Sequence, residues 1–293
     1  MVKKVAIVGA GPCGILLAHY LLRRDEKYQI DIYERRSDPR TVELSKARTF
    51  PIAINQRGIN ALSKIEGLTD GLQDISVEME GIIIHQNNGK KRVLSRNKPL
   101  ISLDRTNLVI LLLEKLTQKY DKRILNLHFN CQCTEVSFTT KTVQFTKLLN
   151  QENFTVNYDL LIGTDGSRSV VRKHFINTDL FEFQQKYVPT DYKSIHLPQP
   201  EEKSNDFLEP GKFHSWRSND GTNILLSQQA DGTISGAILF FPKQSQLAHV
   251  SSTEEVIKYF QDNFPSVGKL ISASAAEDFL ARPISKIITI RCN

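Results

Sequence analysis

The sequence predicts an α/β fold: a parallel sheet covered by helices, joined to a second domain built on an antiparallel sheet. Three observations predict it. Residues 5–33 run as strand, glycine-rich turn, helix and strand. Residues 159–172 repeat the step from apolar strand into a Gly/Asp turn. From about 176 to 270 the helical period fades and short β-rich runs take over. At 293 residues the chain is long enough for about two domains, each with its own core.

Val5-Ala-Ile-Val8 is a short apolar run of the kind that forms a buried parallel strand. Gly9-Ala-Gly11-Pro-Cys13-Gly14 follows at once, and Ile15 to Leu22 continues as a helix ended by Arg23-Arg24. The next strand, Gln29 to Tyr33, ends at Glu34. The order has a chemical logic. Gly9 makes the tight turn, Gly11 leaves room for a pyrophosphate, and Gly14 lets helix and strand pack closely. The helix N-terminus offers free N–H groups and a partial positive charge to phosphates. Pro12 suits the first helical turn, where its missing N–H costs nothing. Glu34 lies 20 residues after Gly14, the spacing of a carboxylate that accepts from ribose hydroxyls. It would repel a 2′-phosphate. This turn predicts a dinucleotide site and does not separate NAD from FAD.

The second turn reads Asp159-Leu-Leu-Ile-Gly-Thr-Asp165-Gly166-Ser-Arg-Ser169-Val-Val-Arg172. Ser167 or Ser169 is placed to cap the segment that follows. Taken alone it is equally a plain strand–turn–helix with an Asx turn. Between the two turns, Gly81 to Gln86 and Lys91 to Leu94 flank Asn88-Gly89, the signature of a two-residue hairpin. Asp104 caps an apolar helix over 108–116, and Arg105 opens it, within reach of a phosphate. Lys141 to Phe145 and Phe154 to Tyr158 alternate as in a small β-meander. Further on, Asn223 to Ser227 and Ile234 to Phe241 read as strands joined at Asp231-Gly232. Thr253 to Phe260 reads as an amphipathic helix capped by Ser252 or Thr253. Trp216 and the phenylalanines read as core, and His85 as a strand residue.

Several function classes are excluded. The net charge is +6, but basic residues form small clusters, which argues against a nucleic-acid surface. No apolar run approaches the length of a membrane span, and the N-terminal apolar stretch is too short for a signal peptide. The four cysteines show no metal or CxxC spacing and read as reduced thiols in a cytoplasmic protein. No histidine pair has metal spacing, and no Ser/His/Asp arrangement is readable, so no catalytic residue is named.

Together the two turns resemble the group A flavoprotein monooxygenases, aromatic hydroxylases on the p-hydroxybenzoate hydroxylase fold. Within that family the chain is most similar to the kynurenine 3-monooxygenase branch, over nearly its whole length. The likeness is carried by Lys4 to Gly11, Ile30-Asp-Ile-Tyr-Glu-Arg-Arg36, Ala53 to Leu62, His128-Phe-Asn130, Phe183 to Pro189, His214-Ser-Trp-Arg217 and Phe260 to Pro265. It implies a Rossmann-type FAD-binding domain with an antiparallel β-sheet substrate domain. The FAD-binding domain would comprise 1–75, 104–175 and 271–293, incomplete at its C-terminus; the substrate domain would comprise 76–103 and 176–270. It implies FAD contacts from Gly9, Gly11, Cys13 (by backbone), Gly14, Tyr33, Glu34, Arg35, Arg36, Ala53, Arg105, Cys133 (by backbone), Asp165 and Gly166, with Arg172 nearby. It also implies NAD(P)H as transient hydride donor, with a small aromatic compound and O₂ as substrates.

Two departures qualify the expectation. The branch holds its substrate carboxylate with an arginine just before the Ile-His dipeptide, where this chain has Ile82. No arginine lies between Arg57 and Arg92, and no tyrosine between Tyr33 and Tyr120. A neutral or differently shaped aromatic is therefore expected in place of kynurenine. The family's Gly-Asp motif, whose Asp binds the flavin ribitol, is absent from the sequence. The alternative is a truncated, non-catalytic FAD-binding-domain protein. An NAD-linked dehydrogenase would share the first turn, but neither the second turn nor the β-rich insertion.

Overall fold

The computed structural model describes residues 2–24, 27–42, 51–176, 178, 181–199 and 208–292. Strand β1 (Lys3–Val8) leads through the glycine turn into α1 (Pro12–Leu22), and β2 (Tyr28–Tyr33) returns parallel to β1. Next come β3 (Pro51–Ile54), α2 (Gln56–Leu62) and α3 (Leu68–Asp74). The hairpin of β4 (Ser76–His85) and β5 (Lys91–Asp104) runs directly into α4 (Arg105–Lys119). Strand β6 (Leu125–His128) precedes a meander of β7 (Cys131–Ser137), β8 (Thr142–Lys147) and β9 (Glu152–Asn157). The second turn joins β10 (Leu160–Gly163) to the short α5 (Val170–Phe175). The rest comprises β11 (Phe183–Leu197), β12 (Lys212–Arg217), β13 (Asn223–Gln228), β14 (Ile234–Phe240), α6 (Thr253–Asn263), α7 (Pro265–Gly268), α8 (Ala273–Ala281) and β15 (Ser285–Cys292). Among the described residues no helix is long and apolar enough to cross a membrane.

Two sheets and the meander organise these elements. The parallel sheet has the order β10-β1-β2-β6. Residues along β1 alternate between two cores. Val5 and Ile7 pack with Ile15 and Ala18 of α1 and with Leu112, Leu113 and Leu116 of α4. Ala6 and Val8 pack with Val143 and Phe145 of the meander. Both faces of the parallel sheet are covered, which is why its strands read as unbroken apolar runs.

The larger sheet has the order β15-β11-β14-β13-β12-β4-β5-β3. One face carries Ile195, Ile224, Leu226, Ile238 and Phe240 against Val256, Phe260, Phe264 and Phe279 of the C-terminal helices. The other face carries Ile82, Leu225 and Ala237, which border a cavity.

Three details differ from the sequence reading. First, the β4–β5 connection is not a two-residue turn. Gln86 N–H donates to the Lys90 carbonyl (2.9 Å) and Gly89 N–H to the Gln86 carbonyl (3.0 Å), so three residues form the loop. Gly89 alone takes a positive φ, +79°, whereas the two-residue turn expected for Asn-Gly needs Asn88 there too. The Asn88 side chain instead accepts from Lys90 N–H at 3.0 Å. Second, the large sheet is mixed, because β4 and β12 pair in parallel. Third, the segment 271–293, read with the cofactor-binding part, packs with the large sheet. Ala275, Ala276 and Phe279 of α8 are buried in its core, and β15 pairs with β11.

A histidine pair lies where β4 meets β12. His214 Nε2 faces the Glu209 carbonyl oxygen at 3.3 Å, so that nitrogen carries the proton. Its Nδ1 then accepts from His85 Nε2 at 2.9 Å, and the His85 ring stacks on Trp216. Burial holds both imidazoles down to about 4, reinforced at His85 by the positive charge of its partner and of Lys91.

The folded protein therefore favours two neutral rings. Their stabilising effect is complete above the ordinary value of 6.5 and is lost as the pH falls from there toward about 4. Denaturation midpoints measured between pH 7 and 4 should drop, and His214→Gln should flatten that drop. An equally steep profile in the variant would count against the pair. Phe260, fully buried between Phe264 and Phe279, should cost about 3–5 kcal/mol as Phe260→Ala in chemical denaturation. A loss under about 1 kcal/mol would mean that α6 does not pack on the sheet as described.

Candidate functional site

The two glycine turns interlock through their backbones. Gly9 has φ +104°, donates its N–H to the Tyr33 carbonyl at 2.7 Å, and faces Thr164 so closely that a β-carbon there would lie 2.6 Å from the Thr164 oxygen. A β-carbon at Gly14 would lie 2.3 Å from the Gly9 oxygen. Thr164 closes the arrangement, donating its hydroxyl to Gly9 O at 2.8 Å and its N–H to Val8 O at 2.8 Å. Asp165 follows, its Cα 2.9 Å from where a Gly9 β-carbon would stand.

Gly11 is different. A β-carbon there meets only the Arg105 Nη2, at 3.6 Å. The backbone at Gly11 thus faces open space beside a guanidinium. The first α1 hydrogen bond runs from Ile15 N–H to Gly11 O at 3.1 Å. Among the described residues, the N–H groups of Cys13 and Gly14 have no acceptor. Asp104 fixes Arg105 by capping α4, accepting from Thr106 N–H at 2.6 Å. Free N–H groups, a helix N-terminus and a guanidinium around a side-chain-free cradle have the chemistry to receive a phosphate.

Glu34 is tied to the same turn. Its Oε2 accepts from Ala10 N–H at 3.0 Å and its Oε1 from Arg36 N–H at 2.9 Å. A carboxylate has about four acceptor positions, so lone pairs remain for ribose hydroxyls. Arg35 and Arg36 are exposed beside it, as is Cys13 on α1. These residues fit the adenosine and pyrophosphate half of a dinucleotide.

Other expected site residues have their side chains committed elsewhere. Tyr33 is buried in a stack, 4.6 Å from the His128 ring and 4.0 Å from Phe145. Burial raises its phenol well above the usual range. The Cys133 thiol is pushed up to about 12, first by burial and then by the charge of Asp165. Asp165 caps α5, accepting from Val170 N–H at 2.6 Å and from the Ser169 hydroxyl at 2.5 Å. Gly166 takes φ +81°, and Arg172 clamps the turn by donating to the Gly166 and Ser167 carbonyls. Of the two serines offered as caps, Ser169 accepts from Arg172 N–H. Cys13, Cys131 and Cys133 are free thiols, whereas the side chain of Cys292 lies outside the described residues.

Ala53 lies in a different place, on the wall of a cavity of about 300 Å³ against the large sheet. The walls are mainly apolar: Ile52, Ile82, Leu100, Phe213, Leu225 and Ala237. Two lining residues that sequence reasoning passed over are Arg96 and Ser102. Ser102 is 1% exposed, and its hydroxyl has no partner among the described residues. Arg96 is the single charged residue of the lining. A signal existed for Arg96: it lies two positions beyond Leu94, which pairs with Ile82, and residues two apart on a strand share a face. Strand β5 joins this cavity to the phosphate cradle, since Ser102 lines the one and Arg105, three residues on, reaches the other.

Comparison with known proteins agrees with this geometry. The FAD binding domain family matches residues 3–258. The kynurenine 3-monooxygenase of Sus scrofa is 29% identical over 296 residues, covering 99% of this chain and 60% of the relative. The enzyme of Drosophila willistoni is 30% identical (99% and 63% covered), and that of Flavobacterium psychrophilum is 28% identical (99% and 63%). The chain thus spans somewhat over half the length of these relatives. Among solved structures, the tetrameric 2-methyl-3-hydroxypyridine-5-carboxylic acid oxygenase superposes with a TM-score of 0.76 at 15% identity, covering 100% of this chain and 72% of that one. CtdE in complex with FAD superposes with a TM-score of 0.71 at 13% identity, covering 100% and 73%. The fold is therefore that of the FAD-dependent aromatic hydroxylases, and this chain belongs to the FAD binding domain family.

Proposed function

We propose that the chain binds FAD between the glycine turn and the cavity, and there hydroxylates a small aromatic compound at the expense of NAD(P)H and O₂. The observation that carries this reading is the continuity of the two sites along β5. Arg105, beside the Gly11 cradle, lies three residues along the chain from Ser102, which with Ala53 lines the apolar cavity. A dinucleotide whose second half is a flat ring system suits that layout. In this reading the chain divides into a cofactor-binding and a substrate-binding part, with 271–293 in the latter, and works in the cytoplasm.

The flavin, when bound, supplies the redox chemistry. One oxygen atom of O₂ enters the ring, the other leaves as water, and NAD(P)H provides two electrons. The protein's own work is binding, orientation and exclusion of water. Cys13, Gly14 and Arg105 take the pyrophosphate; Glu34 takes the ribose; the walls from Ile82 to Ala237 hold the aromatic away from water. Ile82, where the kynurenine branch carries its arginine, favours a substrate other than kynurenine.

The visible spectrum of the purified chain, with and without added FAD, tests the proposal directly. A bound-flavin spectrum at one FAD per chain, and NAD(P)H oxidation stimulated by an aromatic, are expected. A protein that stays colourless in excess FAD would instead identify the non-catalytic alternative. Gly11→Val gives a sharper test. Its β-carbon would stand in the open cradle and meet no backbone, so stability should hold within about 1 kcal/mol while FAD binding is lost. A variant that binds FAD normally would remove the cradle from the site. Glu34→Ala should weaken FAD by about 10- to 100-fold in a fluorescence titration, the worth of hydrogen bonds to a charged group. An unchanged affinity would leave Glu34 only its bond to Ala10.

A further inference from the structure

A smaller cavity lies away from both parts of the site, at the C-terminal ends of α1 and α4. Its volume is about 120 Å³, and its walls include His19, Arg23, Lys64, Glu66, Lys115 and Lys119. Lys119 holds Glu66 at 3.1 Å. Arg23 donates through Nη1 to the Lys64 carbonyl, which fixes its guanidinium at the wall. Among the described residues the amines of Lys64 and Lys115 make no hydrogen bond or ion pair. Cations at a helix C-terminus ordinarily offset the helix dipole, which amounts to about half a charge at each end. Two such ends with Glu66 supply about two negative charges against the four cations of the lining. His19 is 2% exposed, and its Nε2 faces the Leu112 carbonyl oxygen at 3.0 Å, so that nitrogen carries the proton. Burial, reinforced by the charge of Lys119, holds the imidazole below its usual range. Its Nδ1 is then an acceptor without a partner among the described residues.

We infer that this cavity is a second ligand site, which takes one hydrogen phosphate group, free or at the end of a small phosphate monoester. Lys64, Lys115 and the fixed Arg23 receive its charge. Its remaining proton is donated to His19 Nδ1, a bond that sulfate cannot make. The volume is well below the roughly 300 Å³ at which pockets for whole small molecules begin, so the enclosed part is a single tetrahedral group and not a nucleotide. The site is also distinct from the cradle at Gly11. Helix α1 has 11 residues and α4 has 15, so about 16 and 22 Å of helix lie between the two places. Each helix has its N-terminus at the cradle and its C-terminus here. An anion bridging Lys64, just after α2, to Lys115 of α4 ties together the layer that presents the cradle.

Calorimetric titration of the full chain with inorganic phosphate at pH 7, with ionic strength held constant by sodium chloride, tests the inference. The cradle has the chemistry to take phosphate as well, so the titration is run in excess FAD and, separately, in Gly11→Val. One phosphate per chain should bind in both. The double variant Lys64→Gln/Lys115→Gln should weaken it by about 10- to 100-fold. Without phosphate that variant should melt no lower than the unaltered chain, because it removes two unbalanced charges from one cavity. With phosphate it should melt lower, because only the unaltered chain gains from binding. Sulfate should bind about 2- to 10-fold more weakly than phosphate. Glycerol 3-phosphate separates the two sources: tighter binding than inorganic phosphate assigns a phosphorylated metabolite, and weaker binding assigns the free ion. No phosphate binding in Gly11→Val, equal affinity in the double variant, or sulfate bound as tightly as phosphate would each overturn the inference. A double variant that melts lower by the same amount in both buffers would do so too, since the lysines would then only support the fold.

Discussion

The site depends on a backbone approach that no side chain could survive. Gly9, Gly14 and Thr164 bring three chain segments within van der Waals contact at the ends of β1 and β10. Thr164 locks the contact with its N–H and its hydroxyl. The candidate site is referenced to this knot: the N-terminus of α1, the bond from Glu34 to Ala10, and the turn at Asp165. The interaction is geometric rather than strong. Its effect is to leave N–H groups at the start of α1 without an acceptor among the described residues, open to an incoming anion.

The parts of the fold governed by local rules were legible in the sequence. The glycine turns, the Asp104 and Ser252 caps and the alternation of the meander each depend on residues within one segment. The hairpin at Asn88 was legible in place but not in type, because the Asx bond to Lys90 selects the longer loop. The mixed character of the large sheet was not legible. Whether β4 lies parallel or antiparallel to β12 is decided by pairing between segments more than 120 residues apart. The placement of α8 was missed because an apolar helical face does not say which core it joins.

The candidate site divides in the same way. Gly11 and Glu34 were placed in one turn by the fixed spacing of the glycine motif, and Arg105, read from its place at the start of α4, comes to 3.6 Å from where a Gly11 β-carbon would stand. Asp165 was placed in the right turn, yet its carboxylate is spent on capping α5, a distinction that sequence cannot make. Arg96 escaped notice because attention fell on the missing cation at Ile82 and not on the strand beside it. A cavity wall is assembled across strands, and a charge can move from one strand to the next without leaving the wall.

The irregular stretch of β5 adds a consequence of its own. Residues 96–99 stand opposite the single residue Glu80, between the Gly81–Ser95 and Met79–Leu100 pairs. Pro99 has no N–H to contribute, which suits a stretch outside the ladder. Such a segment absorbs an added or deleted residue without disturbing the pairs on either side. Chain length there, as much as residue type, sets how far Arg96 reaches into the chamber. Ser102 and Arg105 keep their register on the far side. Descendants of one ancestral chain can thus acquire different chamber depths by small insertions while the phosphate cradle stays unchanged.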